Sequence, residues 1–166
     1  MAFDTIKNQD KSSKVEKKDG MYTVPIGDAT LIDNESILSV KEKNFVNNPD
    51  KLKSVLLERS QYRNAVDEML VQFPNLKPLY DELTEIHGKL WYIEDRKRQI
   101  EEGMPVDQVL EKLMLPNNSE ILKEYLTLSR EVSLYNDRRA KIKSEMNSIS
   151  GSKIVEVKSH SQAQAA

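Results

Sequence analysis

Residues 119–149 read SEILKEYLTLSREVSLYNDRRAKIKSEMNSI, and their apolar positions settle the fold class. Ile121, Tyr125, Leu128, Val132, Tyr135, Arg139, Ile142, Met146 and Ile149 are spaced 4, 3, 4, 3, 4, 3, 4 and 3 residues apart. That is an unbroken heptad seam, interrupted in chemistry by one guanidinium, and it predicts a long helix capped by Ser119 and ended by Ser150-Gly151. Working outward, a second seam precedes it. Leu79, Leu83, Ile86, Leu90, Ile93 and Ile100 step by 4, 3, 4, 3 and 7, with Lys97 at the skipped position, in a helix that begins near Pro78 and stops at Gly103 and Pro105. A short helix from about Pro105 to Leu115, with Val106, Val109, Leu110 and Leu113 apolar, joins the two. Two long seams with a short connection predict an antiparallel helical hairpin.

Two further helices lie upstream. Asp28 is a suitable N-cap for a helix from Ala29 to about Phe45, with Leu31, Leu38 and Phe45 spaced by seven. Asn48 caps the next, with Pro49 at its first position and Leu52, Val55, Leu56, Tyr62, Val66 and Leu70 as its stripe up to Phe73-Pro74-Asn75. These two are expected to pack on the hairpin and complete a four-helix bundle. Tyr22, Val24 and Ile26 alternate around Pro25, and 153–158 is the other β-like run; the two could pair as short edge strands. The fold class is therefore all-α, a helical bundle dominated by a long antiparallel hairpin with short extended segments near both ends. Residues 1–20 are expected to form a disordered polar tail in which Phe3, Ile6 and Val15 are too few to bury, 21–159 a single helical domain, and 160–166 a low-complexity flexible tail.

Composition removes several classes of function. The chain has 166 residues, no Cys, two His, and Lys+Arg 25 against Asp+Glu 27. Without Cys there is no disulfide, thiolate nucleophile or Cys-ligated metal. Net charge of −2 supplies no basic field for nucleic acid or an anionic membrane. The acids around Trp91 and Tyr92 also argue against base stacking. Five glycines at 20, 27, 88, 103 and 151 form no phosphate cradle, and neither HExxH nor a nucleophile elbow is present. No run reaches the roughly 18 apolar residues of a membrane span, and lysines interrupt the start of the chain where a leader would be apolar. A cytoplasmic protein with no cofactor and no resident metal is the expectation.

Arg139 is the most informative residue, because a guanidinium on an apolar seam requires a partner if buried. Asp81, Glu82, Glu85, Glu94 and Asp95 on the facing helix are its candidate partners, in a bridge that fixes register. Alternatively it binds an anion between helices. Trp91, Glu94 and Asp95 on one helix and Asn136, Asp137, Arg138 and Arg139 on the other form two polar clusters. Together they could take a phosphate- or carboxylate-bearing small molecule, with the arginines as forks, or their carboxylates could hold Mg²⁺; solvated, paired helix faces explain the same residues. His87 lies beside the seam and precedes Gly88, which marks a close helix approach or a gap.

Leu90-Trp91-Tyr92-Ile93-Glu94-Asp95 and Asn136-Asp137-Arg138-Arg139-Ala140 resemble the two signature blocks of a bacterial and phage family known only as a domain of unknown function, family 6165. Val24 to Lys41, Asn48 to Val55 and Gly151 to Ser159 are similar to its other blocks, so the likeness spans roughly residues 22–159. It implies no activity. The chain departs from the family at Asn34, where the family tends to carry Lys, in a segment of about residues 104–120 that looks inserted, and in its Lys-bearing N-terminal tail. Heptad seams, 31% charged residues and the lack of a catalytic motif point to protein–protein or self-association rather than catalysis. The small-ligand bundle, binding or enzymatic, and a phage structural or accessory role are the alternatives.

Overall fold

The computed structural model describes residues 17–18, 21–22 and 24–155, and is an all-α bundle. Its helices are α1 (Asp28–Asn44), α2 (Pro49–Gln72), α3 (Leu76–Glu101), α4 (Val106–Leu113) and α5 (Ser119–Ser150), with a 3₁₀ turn at Pro116–Asn118 before α5. Side-chain pairs set the direction of the hairpin. Glu82 near the start of α3 meets Arg138 late in α5, whereas Arg96 and Glu101 near the end of α3 meet Glu124 and Tyr125 early in α5. The two long helices therefore run antiparallel.

The seams bury most of what their spacing predicts, although Ile149, last in the α5 seam, is exposed. Leu83, Ile86, Ile93 and Ile100 of α3 and Leu128, Ile142 and Met146 of α5 are buried, while Tyr125, Val132 and Tyr135 are partly so. Lys97, at the skipped position, lays its ammonium over the Tyr125 ring at 5.4 Å, so the helix keeps its seam without burying the charge. The upstream helices join the hairpin unequally. α1 lies at the centre, packed on α2, α3 and α5, and α2 rests mainly on α1. Only Val55 and Val66 of the α2 stripe are buried; Leu56 is exposed. A helix resting on one neighbour has only one line of contact to bury.

Several ends differ from their expected form. Asn48 does cap α2, its side chain accepting from the Lys51 N–H at 3.1 Å with Pro49 first in the helix. Asp28 and Ser119, expected as caps, are instead the first helical residues, and the capping positions fall to Gly27 and Asn118 without a side-chain bond. At α1 the free N–H groups are satisfied from the far end of the chain: Asp28 N–H donates to Ser152 Oγ (3.2 Å) and Ala29 N–H to Asn147 Oδ1 (3.1 Å). α3 begins at Leu76, two residues before Pro78, because Pro is tolerated in a first turn whose N–H groups have no helical acceptor.

The expected strand pairing between the two ends is not formed among the described residues. β1 (Lys17–Lys18) and β2 (Met21–Tyr22) make a two-residue antiparallel ladder with each other, so the end of the tail expected to be disordered carries extended structure. Val24 to Gly27 and Lys153 to Val155 have no ladder, and 156–158 lie outside the described residues, as do 1–16 and the 160–166 tail. The ends still meet: a Cβ at Gly27 would lie 2.3 Å from the Ile154 carbonyl oxygen. At Gly88 a Cβ would meet nothing within 4 Å, so no close helix approach explains that glycine.

These two glycines predict opposite responses. Gly88→Ala raises stability by about 0.5–1 kcal/mol, from helix propensity alone. Gly27→Ala lowers it by about 1–3 kcal/mol, by displacing the Ile154 backbone and with it the Ser152 cap. Urea unfolding of both variants measures the difference.

Candidate functional site

Asp33 of α1 is 2% exposed and stands at the meeting of three helices. Arg139 of α5 grips it with a fork: Nε donates to Oδ1 at 2.8 Å and Nη2 to Oδ2 at 2.5 Å. Lys143, one turn further along α5, brings its Nζ to 3.6 Å of Oδ2. From α3, His87 Nε2 lies 3.0 Å from Oδ1, the ring itself almost fully buried. Burial pushes the Asp33 carboxyl up, but the bonds from Arg139 and His87 and the charges of Arg139 and Lys143 outweigh it and hold the group well below the usual carboxylate range.

Glu35, two residues on and therefore on the other side of α1, is the centre of a second cluster. It is also 2% exposed. Arg59 of α2 donates from Nε to Oε1 at 2.7 Å, and Tyr80 of α3 donates its hydroxyl to Oε2 at 2.6 Å. A second carboxylate, Glu42, takes the Nη1 of Arg59. Burial lowers the Arg59 pKa, but the bonds to Glu35 and Glu42 raise it overall. Burial and the bond to Glu35 together push the Tyr80 phenol up. α1 thus carries one buried carboxylate toward α3 and α5 and another toward α2 and α3.

The residues singled out in sequence are distributed over several faces. Trp91 packs edge-on against Phe45, ring centroids 5.3 Å apart, and joins α3 to the end of α1. Glu94 is exposed and lies 3.9 Å from Arg98, one turn away. Asp95 accepts from Gln99 at 3.0 Å. Asn136 donates back to the Val132 carbonyl at 3.0 Å, and Asp137 faces outward. Arg138 forks onto Glu82 with two bonds of 2.6 Å at the exposed edge of the hairpin. The carboxylate that Arg139 grips is Asp33, which was not among the acids expected of the facing helix. Those are engaged elsewhere: Glu82 by Arg138, Asp81 by Lys77, Glu85 by Lys89, Glu94 by Arg98 and Asp95 by Gln99.

Asp33, Glu35, Arg59, Tyr80 and Lys143 were not singled out in sequence. The available signal was α1 itself, in which Asp33, Glu35, Ser36 and Ser39 alternate with Ile32, Leu38 and Val40 so that no face is wholly polar. Among the described residues, no group of three His, Asp or Glu is arranged to hold a metal ion, and no helix is long and apolar enough to cross a membrane. A groove of about 570 Å³ runs between α1, α2 and α3, with Val46, Leu52 and Leu56 along it and Arg59 and Tyr80 beneath. That guanidinium is already shared by two carboxylates.

The tip of the hairpin is different in character. Val109 and Leu113 of α4 are buried in a satellite core with Ile93, Ile100 and Leu128. Val106, Leu110 and Met114, one turn apart from each other on a neighbouring line, are 81%, 54% and 68% exposed. Leu115 and Leu126 add exposed apolar surface in the same region of the chain. Beside them on α5, a shallow groove of about 370 Å³ is lined by Leu122, Lys123, Leu126, Thr127 and Arg130. No protein-family model, curated protein or solved structure shows a significant match to this chain.

The ionic cluster predicts a specific acid response. Asp33→Asn costs about 3–5 kcal/mol, since it removes the buried anion on which Arg139, Lys143 and His87 converge. The folded carboxyl lies below its unfolded value near 3.9, so its stabilisation is complete above that value and is lost as pH falls toward the folded one. The stability gap between wild type and Asp33→Asn is therefore constant near pH 5–6 and narrows below about pH 4. Arg138→Met, which breaks only the exposed bridge to Glu82, leaves the unfolding midpoint unchanged. Chemical unfolding at stepped pH reads both.

Proposed function

We propose that this chain works through protein–protein or self-association, and that the tip formed by α4 and the start of α5 is the face it uses. The observation that carries the reading is the exposed line Val106, Leu110 and Met114 on a helix whose neighbouring line, Val109 and Leu113, is buried. Single exposed apolar residues such as Val71 or Leu134 need no explanation. Three in register along one short helix and its C-cap, followed by exposed Leu115, form a patch of the kind that marks interaction sites.

Two further points support it. The tip coincides with the segment of about residues 104–120 that stands out as an addition to the family the chain resembles, where a partner particular to this protein would dock. The buried carboxylates of α1 are fully engaged by the protein's own cations and hydroxyls, which turns the chemistry of the interior toward holding the fold. A cysteine-free composition suits the reducing cytoplasm as the place of action.

A photo-crosslinking residue placed at position 110 tests the reading, with position 58 on exposed α2 as the control. In concentrated extract of expressing cells, irradiation at 110 gives a discrete adduct heavier than the chain and irradiation at 58 does not. Equal labelling at both positions, or none at 110, overturns the proposal.

A further inference from the structure

The two apolar surfaces at the tip carry opposite charges. Asp107 and Glu111 flank the exposed line of α4, each one residue beyond a member of it. Lys123 and Arg130 line the groove on α5, on either side of Leu126. All four side chains are exposed, and among the described residues none of them has an ion-pair partner within the chain. Two neighbouring charges are matched internally, Lys112 of α4 by Glu102 and Glu124 of α5 by Arg96 of α3. The tip thus presents an acid-edged ridge and a base-edged groove, both apolar at their centres.

We infer that the occupant of this surface is a second copy of the chain, the α4 ridge of each copy seated in the α5 groove of the other. Resting on the association reading above, this names its partner. A surface holding both halves of a complementary pair matches itself under a two-fold axis, the commonest symmetry of soluble oligomers. Size argues the same way. α4 has eight residues and is about 12 Å long, too short to bury the roughly 800 Å² per partner of a stable interface in one contact. The two-fold arrangement makes the contact twice. Opposed charges on the rim fix the register, and the apolar centres supply the affinity.

Sedimentation velocity of the full chain from about 1 µM to 1 mM, a range matched to such a small interface, tests the inference. The expected result is a concentration-dependent rise from 19.1 kDa to twice that mass. Leu110→Glu abolishes the rise. Two charge variants then report on the pairing: Asp107→Lys with Glu111→Lys, and Lys123→Glu with Arg130→Glu. Each alone dimerises at least about tenfold more weakly than wild type, and an equal mixture of the two recovers the dimer, which also shows that both are folded. A monomer at every concentration overturns the inference, as does a dimer indifferent to Leu110→Glu or a mixture that stays monomeric. If the cross-link at 110 forms while its mass is not twice that of the chain, the association reading stands and the second copy alone is lost; if no adduct forms, both fall.

Discussion

The carboxylate of Asp33 ties three helices together. It projects from α1 and receives the Arg139 fork from α5, with His87 of α3 and Lys143 of α5 on the same two oxygens. A buried carboxylate is costly to desolvate, and an apolar triad of the same volume would hold the helices together about as well. What the ionic arrangement adds is direction. A planar fork accepts one register of α5 against α1, whereas apolar side chains tolerate a slide of a fraction of a turn. Glu35 does the same on the opposite side, orienting α2 through Arg59 and α3 through Tyr80.

This explains the unusual composition of α1. A helix packed against three others has little solvated face, so several of its polar residues are inside and must be satisfied there. Ser36 and Ser39 donate to the carbonyls of Asp33 and Ser36, three residues back, and the two acids take their donors from α2, α3 and α5. Around them Ala29, Ile32, Leu38 and Val40 fill the apolar space.

The legibility of the molecule in its sequence follows from the same distinction. Heptad spacing reports a helix with one buried line and one wet face, which is what α3 and α5 are, and their antiparallel pairing was readable from it. The requirement that Arg139 find a buried anion was readable too, because it concerns a single residue on an apolar seam. The identity of that anion was not. A search of the facing seam helix meets acids whose own partners sit one turn away or on the exposed edge, while Asp33 lies 106 residues off in a helix without a clear stripe. Caps behaved alike: Asn48 serves α2 from the adjacent position, but the start of α1 is capped by Asn147 and Ser152, 118 and 124 residues later, which local pattern cannot show.

Base and tip are built on different principles, and this bears on what the tip can do. The core of the base contains Ile32, Leu83, Ile142 and Met146 together with both ionic clusters, so its register is set by directional bonds. The satellite core of the tip is Ile93, Ile100, Val109, Leu113 and Leu128, with no buried charge. α4 is shorter than the roughly 12–15 residues at which isolated helices become marginally stable. It is therefore held helical by the burial of Val109 and Leu113, and its outward line adds nothing to that while it faces water. Covering Val106, Leu110 and Met114 would contribute stability to the element that the chain itself supports least. A partner at the tip would thus order its own docking helix, whereas the base needs no partner to keep its register.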